Sequence, residues 1–351
     1  MKPFPLLQVS AIWLVLVMGR LPNNVVSLAS VKNLRPLVAN GIVSNTFYRA
    51  ATLDELSHDD ARALMDGTLF RSFNGNNNWG EEPAPLSVVM DLRNFDEIEK
   101  KKKTRSPALV EFYRQLQEKE SSSFSPCHLI HVPILYNVDA FWDEAIARMG
   151  PSNRLWATLQ TFTSAGALDR AAVRQLEQEG LSMLYTVTLA TAQPRLRRAL
   201  EICAHAGGPV LFHCQKGKDR TGLVAMLLQS CAGASDQEII AAYAESGPLI
   251  GESPDEPSQR EDKAGGAFID WSRFRGSPAS AMKQTLEWIR DRHGSVENYL
   301  LQDVGLDKEC IVMLQEKFQQ VRKGRVEDTN EKRASSRAPS PRWRERKSEK
   351  S

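Results

Sequence analysis

Cys214 and Arg220 lie six positions apart in the segment VLFHCQKGKDRTG (210–222), and Gly217 stands between them. A cysteine thiolate is a nucleophile, and the planar guanidinium of an arginine can bind two oxygens of one phosphate group. The glycine supplies the backbone freedom that a tight loop needs. This pattern predicts a loop in which a nucleophile and an oxyanion binder face one phosphorus atom.

The residues on either side of this loop predict a strand before it and a helix after it. An apolar run leads from Pro209 into Cys214, and the helix begins between Asp219 and Thr221. Unsatisfied N–H groups of the loop and of the helix start, together with the helix dipole, favour a bound tetrahedral dianion. The same surroundings favour a thiolate at Cys214. As an alternative, Asp219 could serve only as the N-cap of the helix.

Residue spacing argues against two other kinds of site. A Walker A loop requires Ser or Thr after Gly-Lys, whereas Asp219 follows Gly217 and Lys218. His213 is adjacent to Cys214, and Cys203 lies two positions before His205. However, no CxxC or HxxxH spacing supports a zinc site. We therefore expect neither a metal ion nor another cofactor.

The pattern of apolar residues predicts an α/β fold. Runs rich in β-branched and aromatic residues predict strands at 46–50, 87–92, 128–135 and 209–214. Amphipathic spacing predicts helices at 107–120, 221–233, 235–243, 281–289 and 310–318. The alternation indicates a central, mostly parallel sheet of about four or five strands flanked by helices. Residues 140–190 show helical patterns without a strand and predict a helical insertion, and residues 71–85 predict a loop.

The two ends of the chain differ in composition from the rest. Residues 1–30 contain the uncharged apolar run LLQVSAIWLVLVMG, which is either a signal or anchor segment or an apolar segment packed on the domain. Residues 323–351 carry a net charge of +5 within a chain of net charge +2, and their low apolar content predicts disorder. We expect no nucleic-acid partner. Membrane association through either end remains an alternative.

The cysteines give an indication of the cellular compartment. Five cysteines without paired spacing do not form a disulfide framework, which favours a reducing, intracellular compartment. Apart from Cys214, they are expected to be small buried hydrophobic residues: Cys127, Cys203, Cys231 and Cys310.

The segment HCQKGKDRTG resembles the His-Cys-x5-Arg-Thr/Ser-Gly signature of the cysteine-dependent tyrosine and dual-specificity phosphatase superfamily. Its Gly-Lys-Asp-Arg-Thr-Gly ending is similar to a branch, common in bacteria, that shares features with phosphoinositide phosphatases. Other segments follow that family's order, namely NLR, YRAATLDEL, VMDLRNFDE, MLY, IIAAYAES and HGSVENYLLQDVGL. The resemblance implies the phosphatase fold and a phosphatase domain over residues 31–322.

The resemblance also implies roles for the loop residues. Cys214 would be the nucleophile that forms a phosphocysteine intermediate, and Arg220 would bind the phosphate. Thr221 would donate a hydrogen bond to the cysteine sulfur, and His213 would hold the loop through its ring N–H. The remaining loop residues would contact the substrate: Gln215, Lys216, Gly217 and Lys218.

The general acid has two candidates. The superfamily generally takes an aspartate from a separate mobile loop, and the resemblance favours Asp219 within the phosphate loop itself. Asp139, just past the third predicted strand, is the alternative. Asp91 and Arg93 are expected to form a pair that holds the fold rather than to act in the reaction.

The substrate expected from the resemblance is phosphotyrosine, with phosphoserine or phosphothreonine and phosphoinositides as alternatives. Lys216 and Lys218 would place two cations at the rim of the pocket, which favours substrates with additional negative charge. Lys216 departs from the family pattern and could instead point to solvent. Ala242 is a second departure, at a position where the family often has Asp. The competing function is a weakly active or inactive phosphate-binding pseudophosphatase.

Overall fold

The computed structural model describes residues 29–68, 85–120, 127–251, 260–263, 267–270 and 274–318. The elements in chain order are β1 (Arg35–Ala39), β2 (Ile42–Ala50), α1 (His58–Met65), β3 (Val88–Asp91), α2 (Phe95–Lys101), α3 (Pro107–Glu120), β4 (His128–His131), α4 (Val138–Ala147), α5 (Pro151–Gln160), α6 (Ala167–Glu179), α7 (Leu181–Thr191), α8 (Gln193–His205), β5 (Val210–His213), α9 (Arg220–Cys231), α10 (Asp236–Ala244), α11 (Ser246–Ile250), β6 (Arg260–Lys263), β7 (Ala267–Asp270), α12 (Ala279–His293) and α13 (308–318). A 3₁₀ turn spans Lys102–Thr104, and a short helical turn, Val296–Asn298, continues into a π turn, Tyr299–Asp303.

A five-stranded sheet forms the centre of the fold, with the strand order β1-β2-β5-β3-β4. Strand β5 lies between β2 and β3 and runs parallel to both, while β1 pairs antiparallel with β2 at one edge. The expected α/β architecture with a mostly parallel sheet is therefore confirmed. The pattern of apolar residues did not predict β1, because this edge strand, RPLVA, is short and starts with Arg and Pro.

Helices cover both faces of the sheet, and alternate strand residues point to opposite faces. Val210 and Phe212 pack in the larger core with α7, α8, α9 and α12, whereas Leu211 between them packs in a smaller core with α1 and α3. In α3 the buried residues are Leu109, Phe112 and Leu116, which share one helix face. Burial on both faces explains why these strands are almost continuously hydrophobic.

The chain between β4 and β5 consists of five helices, α4 to α8, in the region where the sequence pattern predicts helices without a strand. Ser235 and Glu238 form the expected capping box at the start of α10. The apolar segment at 6–19, nearly all of the 71–85 loop and the basic tail at 323–351 lie outside the described residues. Within the described part of the chain, no helix has the length and apolar character needed to cross a membrane.

Candidate active site

The loop from Cys214 to Asp219 connects the carboxyl end of the central strand β5 to the start of α9. Every residue of β5 is buried, and Cys214 itself is only 1% exposed. Because α9 begins at Arg220, the free N–H groups of its first turn follow the cysteine by six or more positions, at the other end of the loop. The strand, loop and helix predicted from the sequence are therefore present, with the nucleophile candidate at one end of the loop and the helix start at the other.

Gly217 is fixed against the end of strand β2. Its φ of 69° lies in the left-handed region, and an added Cβ would lie 2.4 Å from the carbonyl oxygen of Ala50. The Gly217 carbonyl accepts hydrogen bonds from Asn33 Nδ2 (2.9 Å) and Arg49 Nη2 (2.8 Å). Glycine is required here both for its backbone conformation and for the close approach of two chain segments.

Arg220 binds a carboxylate that the sequence did not identify as part of the site. Its Nη1 and Nη2 atoms lie 2.5 and 2.8 Å from the two carboxylate oxygens of Glu97, in the first turn of α2. Glu97 also accepts a hydrogen bond of 2.8 Å from the N–H of Asn94. Burial alone would raise the pKa of Glu97, but the hydrogen bond and charge of Arg220 hold it below its usual value. An acidic residue in a helix that follows a parallel strand was the signal available in the sequence.

Asp219 forms part of a buried network with two tyrosines. Its Oδ1 accepts a 2.7 Å hydrogen bond from the hydroxyl of Tyr185, which lies 2.7 Å from the hydroxyl of Tyr243. Burial, and then the negative charge of Asp219, raise the pKa of Tyr185 well above its usual value. Asp219 occupies the N-cap position of α9, but its side chain makes no capping hydrogen bond. Asp219 therefore stands at the N-cap position, but its side chain does not form the hydrogen bond of an N-cap.

Asp139, the other general-acid candidate, lies in the first turn of α4 and is exposed. Strand β4, which precedes α4, is parallel to β3 and ends at the same edge of the sheet as the phosphate loop. Among the described residues, no hydrogen bond or ion pair joins Asp139 to that loop. The structure thus ties Asp219, but not Asp139, to the residues around Cys214.

His213 and Thr221 are both fully buried beside the cysteine. The resemblance implied a hydrogen bond from each, yet within the described chain neither ring nitrogen of His213 nor the hydroxyl of Thr221 has a hydrogen-bond partner. His213 Nε2 lies 4.0 Å from Asp91 Oδ2. Burial lowers the pKa of His213, although the nearby Asp91 carboxylate opposes that change.

The two lysines of the loop lie in different environments. Lys216 is exposed, as one of the two sequence interpretations had it. Lys218 is 1% exposed, and its Nζ donates hydrogen bonds of 2.6 Å to the carbonyls of Phe274 and Gly276. The expectation of a second cation at the pocket rim therefore does not match the geometry, since the ammonium of Lys218 is directed into the protein. Buried backbone carbonyls provide its hydrogen bonds there.

Asp91 and Arg93 form the expected pair at the end of β3, with 2.7 Å between Arg93 Nη2 and Asp91 Oδ2. Arg93 is almost fully buried and also binds Asp54 at 2.6 Å, and its Nη1 lies 3.5 Å from the Oε1 of Gln215. Burial disfavours the charged Asp91, but His213 and Arg93 lower its pKa to about 2. This pair connects the loop to the neighbouring strand end.

The other four cysteines are free and buried. Burial raises the pKa of Cys203 and of Cys231 to about 12, and it also raises the pKa of Cys310. Thiols in such surroundings are unreactive at neutral pH.

Comparisons with known proteins agree with this geometry. The model of the tyrosine phosphatase family matches residues 26–320. A tyrosine-protein phosphatase of Nostoc commune is 30% identical over 145 residues, which cover 39% of this chain and 48% of that protein. A triple specificity protein phosphatase of Mycobacterium tuberculosis is 29% identical over 201 residues, covering 55% of this chain and 65% of that protein. Each match covers less than two thirds of the relative's own length.

Proposed function

The chain belongs to the tyrosine phosphatase family, and from this premise we propose that it hydrolyses phosphomonoesters through a cysteinyl-phosphate intermediate. The observation that carries the proposal is the loop itself. Cys214 and Arg220 lie at the two ends of a loop fixed by Gly217, at the start of a helix whose free N–H groups favour an anion.

In the first proposed step, Cys214 Sγ attacks the phosphorus and the bond to the ester oxygen breaks. Arg220 and the loop N–H groups bind the non-bridging oxygens, which gain charge in the transition state. Asp219 donates a proton to the departing oxygen, as its place inside the loop suggests. Arg220 must reach the phosphate while Glu97 holds its guanidinium in orientation.

In the second proposed step, a water molecule attacks the phosphorus and the sulfur–phosphorus bond breaks. Asp219, now a carboxylate, accepts the proton of that water. The buried hydroxyl of Thr221 has no partner among the described residues, so it is available to donate a hydrogen bond to the departing thiolate. Inorganic phosphate and the free thiolate are the products.

Phosphotyrosine is the substrate we propose first. Phe95 and Tyr136, which are 69% and 43% exposed, follow the carboxyl ends of β3 and β4 at the edge that carries the loop. Such aromatic surfaces favour an aromatic leaving group. With Lys218 buried, Lys216 is the loop lysine left to favour additional phosphates. One relative is named a triple specificity protein phosphatase, so more than one substrate class is to be tested. Phosphoserine and phosphothreonine are the alternative substrates of this proposal.

The proposal is tested with para-nitrophenyl phosphate and the full chain. We expect turnover by the wild type and none by Cys214→Ser. Quenching the reaction during turnover should trap a phosphocysteine adduct in the wild type alone. Binding of inorganic phosphate without turnover by the fully reduced wild type would indicate the pseudophosphatase instead. A panel of phosphotyrosine, phosphoserine and phosphothreonine peptides and phosphoinositide vesicles then ranks the substrate classes.

A further inference from the structure

Arg49 is a buried cation directly behind the phosphate loop. It lies at the end of β2, is 1% exposed, and donates hydrogen bonds from Nη2 to the Gly217 carbonyl (2.8 Å) and the Ser246 hydroxyl (3.3 Å). In the described chain, its Nε has no hydrogen-bond partner and no carboxylate lies within ion-pair distance. A buried guanidinium without a carboxylate is costly unless another anion offsets its charge.

A second buried guanidinium adds to this positive charge. Arg35 Nη2 donates to the same Ser246 hydroxyl (3.1 Å) and to the carbonyl of Ala242 (2.6 Å). The carboxylate near Arg35 is that of the half-exposed Glu245, 3.4 Å from its Nε. Burial and then the charge of Arg49 lower the pKa of Arg35. Burial lowers the pKa of Arg49 to about 10, an effect that Cys214 and then the charge of Glu245 oppose.

The other charged groups around the loop are already paired. Arg220 binds Glu97, Lys218 lies 3.9 Å from Asp219, and Arg35 lies near Glu245. Lys216 is exposed to solvent, which screens its charge. Among the described residues, Arg49 is thus the buried cation of this group that has no carboxylate within ion-pair distance.

We propose that Arg49 is a positioning residue that keeps Cys214 in its thiolate form and fixes the loop around the sulfur through Gly217. The role of that thiolate in turnover rests on the proposed function, but its ionisation does not. Asp91 and Arg93 face the loop through His213 and Gln215 and are paired with each other. The other groups that face the loop are neutral: the ring of His213, whose pKa burial lowers, and the hydroxyls of Tyr185 and Tyr243.

Position 242 allows the charge to be tested without removing Arg49. The Ala242 carbonyl in α10 already binds Arg35, which shares the Ser246 hydroxyl with Arg49, so a charge at this position lies near both guanidiniums. Ala242→Asp adds a negative charge there, and Ala242→Asn adds nearly the same shape without charge. A carboxylate at this position offsets part of the charge of the two guanidiniums and should lower, without abolishing, the thiolate fraction of Cys214.

The experiment measures alkylation of Cys214 in the full chain by iodoacetamide, with the modified peptide quantified by mass spectrometry. The readout is the rate at about pH 6 divided by the rate at about pH 9, because only the thiolate reacts. We expect this ratio to fall about tenfold or more in Arg49→Met, to be kept in Arg49→Lys, and to be about threefold or more lower in Ala242→Asp than in Ala242→Asn.

A ratio in Arg49→Met equal to that of the wild type would overturn the proposal. If Arg49→Met does not fold, the position-242 pair decides: equal ratios in the Asp and Asn variants overturn the proposal in the same way. Hydrolysis of para-nitrophenyl phosphate by the same samples tests the enzyme separately. A lowered ratio without any turnover in the wild type supports the role of Arg49 and rejects the phosphatase.

Discussion

The hydroxyl of Tyr185 donates a 2.7 Å hydrogen bond to Oδ1 of Asp219 and thereby connects helix α7 to the phosphate loop. The same hydroxyl lies 2.7 Å from that of Tyr243 in α10. Tyr185 therefore holds the carboxylate that we propose as the general acid, and Tyr243 from a separate helix holds Tyr185. If Asp219 protonates the leaving oxygen, its orientation decides how well poor leaving groups depart.

Tyr185→Phe removes this hydrogen bond and the one between the two tyrosine hydroxyls but keeps the ring. We expect kcat/KM to fall about tenfold for phenyl phosphate, whose leaving group needs the proton, and much less for para-nitrophenyl phosphate. Tyr299→Phe is the matched control, since Tyr299 is equally buried and donates a 2.7 Å hydrogen bond to the Leu189 carbonyl. Equal losses for the two substrates, or the same pattern in the control, would show that Tyr185 only stabilises the fold.

Asp219→Asn and Asp139→Asn decide between the two general-acid candidates. Asp219 lies within the phosphate loop, whereas among the described residues Asp139 makes no hydrogen bond or ion pair to it. We therefore expect Asp219→Asn to lower kcat for phenyl phosphate about a hundredfold and Asp139→Asn to change it less than about threefold. Steady-state rates with both aryl phosphates provide the measurement. The reverse order of effects would assign the proton to Asp139.

Glu97→Gln removes the carboxylate partner of Arg220. The side chains of Arg220 and Glu97 are 13% and 29% exposed, so we expect a loss of about 1–3 kcal/mol in the free energy of unfolding at neutral pH. Because the pKa of Glu97 is depressed in the folded state, its contribution is present above the unfolded pKa of about 4.3 and is lost as the pH falls through the folded value.

Urea unfolding of wild type and Glu97→Gln across this pH range measures the effect. The difference in stability should be largest near neutral pH and should narrow below about pH 4. A difference that does not change with pH would mean that the glutamate contributes by packing and not by its charge.

Gly217→Ala is expected to be far more damaging than an alanine at another glycine of the same conformation. Gly41 also has a φ of 69°, but an added Cβ there meets nothing within 4 Å. We expect Gly41→Ala to cost about 1 kcal/mol of stability from backbone strain alone. Gly217→Ala should cost at least about 2 kcal/mol more, because its Cβ overlaps the Ala50 carbonyl. Equal losses in chemical denaturation would contradict the close approach.

Lys218→Met and Lys216→Met should affect different properties. Lys218 donates to two buried carbonyls, so its loss should lower the unfolding free energy by about 2–3 kcal/mol. Lys216 is exposed, and its replacement should leave stability within about 0.5 kcal/mol. If Lys216 attracts substrates with extra phosphates, only Lys216→Met should reduce phosphoinositide turnover relative to phosphotyrosine turnover. Unchanged ratios would remove that role.

Much of the architecture could be predicted from sequence because its signals are local. Strands β3 and β5 are buried apolar runs, α3 begins and ends where its amphipathic pattern does, and the candidate nucleophile and phosphate binder lie within one short loop. The relationships that define the surroundings of Cys214 are long-range. Glu97 meets Arg220 across 123 positions, and Arg49 meets Gly217 across 168.

The direction of individual side chains was also beyond the sequence pattern. Lys216 and Lys218 are two positions apart in a glycine-containing loop, yet one is exposed and the other is buried against the chain at 274–276. Loop side chains have no fixed period, unlike those of strands and helices. Only the tertiary fold determines which lysine faces water.

The position of β5 between β2 and β3 has a consequence for how the chain is made. These two strands leave the ribosome well before residues 210–213, and until then the hydrogen-bonding edges that β5 later joins stay open. Chains that stop before this point are therefore expected to expose strand edges, which favour aggregation. Closure of the sheet and assembly of the phosphate loop both depend on the same short segment, residues 210–213.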